Sequence, residues 1–360
     1  MLHTMIMAGG GGTRFWPRSR SARPKQFLSF EGDRTLLQAT FDRSEALVPP
    51  ERFWVITSKA HRDQAIEQLP AVAANRIVGE PTGRDTAACI GLGAALIARE
   101  DPNATMVVMP ADHAIEPVGE FHRALKAAEQ LVDENPEALL TFGIPPAYPA
   151  IGYGYIQRGT HIAQRQGVNS FEVLKFREKP SAEVAEQYIA SGEYYWNSGI
   201  FVWKVKTILA ELKRLKPGIF ESVSRIADAW GTPNQQAVFA EEYSHVEKIS
   251  IDFAVMENAK KVLVLQAPYQ WDDVGSWLAL ERRNPQDKHG NTVRGLHTGI
   301  NTSACVIVSD AEHLIATIGV SNLLIIQDGN ATLIADRRDE ATVKEIVEKL
   351  KKTPGLERYL

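Results

Sequence analysis

The chain reads as an α/β protein: a mostly parallel sheet flanked by helices, followed by a small β-rich, β-helix-like domain that ends in a helix. Three observations predict this. Through the first half, short β-branched runs alternate with helical patterns, as parallel strands joined by crossover helices do. The motifs that carry chemistry begin where those runs stop, and open parallel sheets bind ligands at the carboxyl ends of their strands. After Asn284-Pro285-Gln286-Asp287 the texture changes to short apolar runs separated by turn residues at tight spacing.

In chain order, strands are expected at Met5–Ala8, Phe53–Thr57, Arg76–Val78, Thr105–Met109 and Ala138–Phe142, with helices at Leu36–Leu47, Ala60–Leu69, Thr86–Arg99 and Phe121–Asp133 between them. Residues 151 to 285 mix strands (Tyr153–Gln157, Phe171–Phe176, Gly199–Trp203, Lys261–Gln266) with helices rich in Glu and Lys, an elaboration of the same sheet. Runs at Ala304–Ser309, Leu314–Ile318, Leu323–Gln327 and Thr332–Ala335 suggest a β-roll or a few β-helix rungs, without a strict hexapeptide period. Val343, Ile346, Val347 and Leu350 then share one face of a final helix. The expected division is 1–285, a catalytic domain, and 286–360, a packing or dimerisation module.

With 360 residues, 44% hydrophobic and 23% charged, the chain can bury a large core. No apolar run approaches the roughly 20 residues that span a bilayer, and no basic region precedes the apolar start. Cys89 and Cys305 show no metal-ligand spacing, which suits a reducing compartment, so a cytoplasmic protein without membrane attachment is expected. The net charge of −4 argues against a nucleic-acid binder.

The most informative stretch follows the first strand. Ala8 leads into Gly9-Gly10-Gly11-Gly12-Thr13, then Arg14, Arg18, Arg20, Arg23 and Lys25, and no acid occurs before Glu31. Glycines let backbone N–H groups close around phosphate oxygens, and the cations neutralise a polyphosphate. A P-loop needs a Lys that no register supplies, and a dinucleotide fingerprint from Gly9 needs glycine where Arg14 stands. A flexible linker or a local basic patch are the blander readings.

Asp112, in Pro110-Ala111-Asp112-His113, should emerge at a strand's carboxyl end, where a carboxylate can hold a divalent cation. His113 alternates to the other side and reads as a locally bonded histidine. Asp272-Asp273, before Gly275-Ser276-Trp277, reads on its own as helix capping. Glu80-Pro81-Thr82-Gly83-Arg84-Asp85-Thr86 lies between a strand and a helix, which Asp85 or Thr86 can cap. Gly152-Tyr153-Gly154-Tyr155, Phe176-Arg177-Glu178-Lys179-Pro180 and Tyr195-Trp196-Asn197-Ser198-Gly199 offer hydroxyl-directed donors and acceptors plus one lysine, or else plain surface turns. Ser250–Glu257 fits an amphipathic packing helix.

Gly9–Pro17 followed by Pro24-Lys25-Gln26 resembles the signature of sugar-1-phosphate nucleotidyltransferases, and Trp16-Pro17 with Pro24-Lys25-Gln26-Phe27 resembles the mannose-1-phosphate guanylyltransferases among them. The resemblance runs through most of the chain. It implies a Rossmann-like nucleotidyltransferase fold and transfer of GMP from GTP to mannose 1-phosphate, giving GDP-mannose and pyrophosphate. It further implies Mg²⁺ on Asp112 and Asp273, with Arg14, Lys25 and Lys179 as catalytic cations. Nucleotide contacts would come from Ala8 to Thr13, Glu80, Arg84, Asp85, Thr86 and Asp112, and sugar contacts from Gly154, Glu178 and Asn197. A homodimer is expected. Two departures stand out: Asp85 where the family usually has Asn, losing a donor, and Ile151 where Thr is common. The alternatives are another base or sugar, such as glucose 1-phosphate with dTTP or UTP, and a non-catalytic nucleotide-sugar-binding subunit. No metal-binding His/Glu cluster follows residue 286, which argues against a second, isomerase activity.

Overall fold

The computed structural model describes residues 1–30 and 32–360. By contact density the chain forms two units: Met1–Gly9, Thr40–Ala111 and Ile115–Trp271 make the first, and Gly10–Ala39, Asp112–Ala114 and Asp272–Leu360 the second.

The first unit is built on one sheet of strands β1 (Leu2–Ala8), β2 (Phe53–Ser58), β3 (Ile77–Glu80), β4 (Thr105–Pro110), β5 (Leu139–Ile144), β6 (Gly154–Arg165), β7 (Val168–Glu178), β8 (Tyr194–Lys204) and β9 (Val262–Gln266). Their order is β3-β2-β1-β4-β8-β5-β9-β7-β6. Pairs β1–β2, β2–β3, β1–β4 and β5–β9 are parallel, while β8 runs antiparallel to both β4 and β5. The first strands therefore obey the crossover expectation, and residues 154–204 widen the sheet with antiparallel strands. β1 and β4 are buried on both faces, which explains their unbroken apolar runs.

Of the helices α1 (Leu36–Glu45), α2 (Arg62–Gln68), α3 (Asp85–Glu100), α4 (Val118–Glu134), α5 (Ala182–Ser191), α6 (Val205–Leu215), α7 (Pro217–Ala229) and α8 (Gln235–His245), α3 is the most enclosed. Every residue from Ala87 to Ile97 is buried, so this helix has no solvent face in its middle. Its small residues make that packing close: a Cβ on Gly91 would stand 3.1 Å from Leu212, and one on Gly93 would meet Met5. The expected packing helix at 250–257 is instead a π-helical turn, Asp252–Met256.

The second unit contains β10 (Thr292–Arg294), β11 (Leu296–Ile300), β12 (Val306–Val308), β13 (Leu314–Ile318), β14 (Leu323–Asp328), β15 (Ala331–Asp336), the short α9 (Ala279–Arg283) and the final α10 (Val343–Lys352). Thr292, Val306 and Leu324 stack in parallel register, and β11 pairs parallel with β13, so successive coils lie as rungs. Alternation along Cys305-Val306-Ile307-Val308 sends Cys305 and Ile307 toward Ile315 and Ile325. It sends Val306 and Val308 toward Leu324, Ile326, Val343 and Val347. That second cluster also takes in Phe15, Trp16, Leu28, Phe30 and Trp277.

Gly143 sits where β5 slips register against β8, opposite Asn197. A Cβ there would lie 2.6 Å from Val264 Cγ2 and 2.7 Å from Tyr195 Cβ, atoms that the sheet holds in place. Gly143→Ala should destabilise the protein by about 1–3 kcal/mol, read by chemical denaturation, because neither neighbour can withdraw. An unchanged midpoint would show that the sheet relaxes there freely.

Candidate functional site

The glycine turn takes its shape from backbone freedom. Gly10 and Gly12 have φ of +95° and +56°, values that side chains oppose, and a Cβ on Gly12 would stand 2.3 Å from Lys25 Cβ. Gly12 O accepts from Ser19 Oγ at 2.6 Å and from Phe15 N at 3.0 Å, which closes the short helical turn Thr13–Phe15. Phe15 anchors that turn against Phe30 and Trp277, with centroids 4.6 and 5.2 Å away. Trp277 Nε1 donates to Trp16 O at 3.2 Å, and Trp16 Nε1 to Tyr359 O at 2.8 Å. Arg14, between these anchors, stays exposed.

Lys25 is 6% exposed, so its ammonium needs partners inside the protein. It donates to Asp112 Oδ2 at 2.7 Å and to the Asp273 carbonyl at 2.6 Å. Close packing around Asp112 would raise its carboxyl, but the charges of Lys25 and His113 outweigh this and hold it below the usual carboxylate range. Asp112 therefore stays ionised at neutral pH.

The two neighbouring aspartates have separate tasks. Asp272 is gripped by Arg282 at 2.6 and 3.0 Å and accepts from Val274 N. Asp273 Oδ1 accepts from Gly275 N at 3.0 Å, and a Cβ at Gly275 would crowd Asp273 Oδ2 at 2.7 Å. Val274 between them adopts φ +44°, strained for a β-branched residue, while its side chain is buried at 2% exposure.

Gly12, Thr13, Arg14, Phe15, Lys25, Asp112, His113, Asp273, Gly275 and Lys344 line one cavity of about 450 Å³. The site thus joins a glycine turn, three cationic side chains and two carboxylates. Reasoning from sequence did not assign Phe15, His113, Gly275 or Lys344 to the site, and two of these carry ionisable side chains into it. His113 lines the cavity, with Nε2 3.9 Å from Asp112 Oδ1. Lys344 arrives from α10, where the amphipathic pattern identified the buried face but not the residue beside it. Arg18, Arg20 and Arg23 are absent from this lining.

In the first unit, Ala8 ends β1, its carbonyl accepting from Thr57 Oγ1 at 2.8 Å, and Gly9 follows, exposed. Glu80 ends β3 only 9% exposed, accepting from Tyr243 Oη. Burial lifts its carboxyl to about 7, a rise that bonds from Tyr243 and Cys89 only partly oppose. Arg84 donates to Ser244 O, and Thr86 Oγ1 accepts from Ile251 N at 2.8 Å. Asp85 is exposed at φ +65°, its Oδ1 accepting from Thr86 N. Residues 80–86 are thus tied to residues 243–251, and Asp85 is exposed along with Pro81 and Thr82.

The expected sugar-contacting residues converge. Gly154 pairs with Glu178, and a Cβ on Gly154 would lie 2.5 Å from Glu178 Oε2. Lys179, at φ +44° and 65% exposed, has Nζ 3.4 Å from Glu178 Oε1. Asn197 Nδ2 donates to Asp252 Oδ1 at 2.8 Å, and its Oδ1 accepts from Thr141 Oγ1 and Gly199 N. Burial first, and then the charge of Glu178, lift the Asp252 carboxyl to about 6. Ile151 is exposed.

The Nucleotidyl transferase family model matches residues 3–290, and the MannoseP isomerase/GMP-like beta-helix domain matches 295–350. A mannose-1-phosphate guanylyltransferase of Klebsiella pneumoniae is 41% identical over 98% of this chain and 74% of its own length. Among solved structures, one described as a mannose-1-phosphate geranyltransferase from Thermus thermophilus superposes with a TM-score of 0.86 at 34% identity, covering 97% of this chain and 99% of the other. A mannose-6-phosphate isomerase from Helicobacter pylori gives 0.60 at 26% identity, covering 75% and 99%.

Glu80 offers a pH test. The folded carboxyl binds its proton up to about pH 7 and the unfolded one only to about 4.5, so the native state holds more protons in between and loses stability as pH rises through that window. Glu80→Gln should remove up to about 3 kcal/mol of that slope, measured as the wild-type-minus-variant difference in denaturation free energy between pH 4.5 and 7. A difference constant with pH would mean that Glu80 is ionised in the fold. From the matched models and a relative 41% identical over 98% of this chain, the chain belongs to the nucleotidyl transferase family, among the mannose-1-phosphate guanylyltransferases.

Proposed function

We propose that the chain transfers GMP from GTP to mannose 1-phosphate, releasing pyrophosphate. One observation supports the chemistry above all: the cavity that gathers the glycine turn, Arg14, Lys25, Asp112 and Asp273. A phosphate oxygen of mannose 1-phosphate attacks the α-phosphorus in line, the bond to the β-phosphate bridging oxygen breaks, and pyrophosphate carries away the electron pair. The attacking monoester has a second pKa of about 6, so it is largely dianionic at neutral pH and needs no general base. What opposes the reaction is the approach of two anions, so positioning and charge neutralisation do the catalysis.

Gly10 to Thr13 would hold the triphosphate tail through backbone amides, and Arg14 would draw off charge that develops on the leaving pyrophosphate. Lys25 orients Asp112, while Lys179 meets the sugar phosphate. Asn197 has its carbonyl oxygen committed internally and one amide hydrogen to Asp252, so it offers a sugar hydroxyl its second N–H. Of the nucleotide loop, Asp85 and the backbone beside it face outward for the base, with buried Glu80 behind them.

Asp112 and Asp273 fit Mg²⁺, which takes one or two carboxylates and completes its shell with substrate phosphates and water. When bound there, the ion would supply positive charge to the triphosphate.

Pyrophosphate release from GTP and mannose 1-phosphate should require Mg²⁺ and stop with a chelator. Replacing GTP by dTTP or UTP, or the sugar by glucose 1-phosphate, should lower kcat/KM. Faster turnover with another pair would reassign the substrates, and conversion of mannose 6-phosphate to fructose 6-phosphate would add the isomerase reading. Arg14→Ala should cut kcat by about 10², as loss of a donor to developing charge does. Unaltered turnover would remove Arg14 from the mechanism.

A further inference from the structure

The five cations behind the glycine turn divide into two groups. Arg14 and Lys25 line the candidate active site, whereas Arg18, Arg20 and Arg23 converge on Asp328, the last residue of β14. Arg18 Nε and Arg23 Nη2 each lie 3.5 Å from Asp328 Oδ1, and Arg20 Nη2 lies 3.9 Å from Oδ2. The local backbone fixes this convergence. Arg20 and Arg23 exchange backbone hydrogen bonds of 3.1 and 2.9 Å, and Arg20 is held by Pro17 O at 3.0 Å and Asp328 O at 3.2 Å. On the other side, Gly329 N donates to Asp310 Oδ2 at 2.7 Å, which sets the β14–β15 turn.

The charges here do not cancel. Guanidinium groups remain protonated at any physiological pH, so three of them around one carboxylate leave an excess of about two positive charges. Among the described residues, Asp328 is the only carboxylate within 4.0 Å of the three. Arg18, Arg20 and Asp328 are 18%, 20% and 17% exposed, so solvent relieves the excess only in part. Separations of 3.5 to 3.9 Å also exceed the roughly 2.7–2.9 Å of a good charge-assisted bond. One carboxylate shared three ways at these separations leaves guanidinium donors open to further partners, and they border a recess of about 350 Å³ reached also by Asn330.

We propose that this recess is a second anion site, separate from the reaction site, and that it takes the phosphate group of a small molecule. A phosphate monoester or free phosphate carries about 1.5 to 2 negative charges at pH 7, which matches the excess. Its oxygens match the planar fork of arginine. Within the site Asp328 competes with the ligand while holding the arginines together.

The test is titration of the full-length protein with inorganic phosphate, and separately with glycerol 3-phosphate, at constant ionic strength, following melting temperature and binding heat. Both anions should bind saturably. A stronger response to free phosphate identifies an inorganic ligand, and a stronger response to the monoester an organic one. Arg23→Ala, at a half-exposed position, should weaken binding about tenfold, as loss of one charge-assisted contact does, and Arg14→Ala should leave this binding in place. Asp328→Asn should tighten it about tenfold by removing the internal competitor. A purely structural cluster would instead lose stability in Asp328→Asn with no gain in phosphate affinity. That result, a response no larger than chloride gives, or an Arg23→Ala variant that binds as the wild type does, would overturn the proposal.

Discussion

The buried ammonium of Lys25 is the constraint on which the candidate site depends. An unpaired cation there would cost several kcal/mol, so the chain must bring it partners, and it brings Asp112 from one segment and the Asp273 carbonyl from another. The stem of the same side chain occupies the space that a Cβ on Gly12 would need. Glycine at 12 and lysine at 25 are thus one requirement, and three segments distant in sequence meet as its consequence. The arrangement also keeps the Asp112 carboxyl ionised, the state in which it can hold a cation.

A second pattern runs through the first unit: side chains expected to face ligands are held by others that do not. Glu80 is bonded to Tyr243 and Arg84 to the Ser244 carbonyl, so the end of α8 fixes the loop that carries Asp85. Asn197 is held by Asp252, seven residues beyond His245. The segment 243–252 therefore ties both the loop proposed to meet the nucleotide and Asn197, proposed to meet the sugar. Buried carboxyls with raised pKa values mark these holding positions, Glu80 at about 7 and Asp252 at about 6. Such groups need not touch a ligand to matter, because an orienting partner decides which hydrogen of an amide points outward.

Much of this architecture was legible because hydrophobic period and turn chemistry are local. Thr105–Met109 reads as a buried strand ended by proline, and the strand observed is Thr105–Pro110, with Asp112 beyond it. The C-terminal runs read as short strands, and parallel register between Val306 and Leu324 turns them into rungs. What the sequence hides is pairing across long separations. Nothing local distinguishes Asp272 from Asp273 until Arg282 takes the first and the strained Val274 turn leaves the second in the cavity. Five cations in one stretch read as a single cluster, because their separation depends on Asp328, some three hundred residues away. Lys344 was invisible for a similar reason: amphipathic spacing identifies the face a helix buries, while the residue at its edge is placed only by tertiary packing.

The most direct measurement is a crystal structure of the protein with GTP and Mg²⁺. The account requires the triphosphate against the amides of Gly10 to Thr13, the Lys25 ammonium still on Asp112, and metal density touching both Asp112 and Asp273. A nucleotide seated elsewhere, or those two carboxylates ligating no common ion, would contradict it.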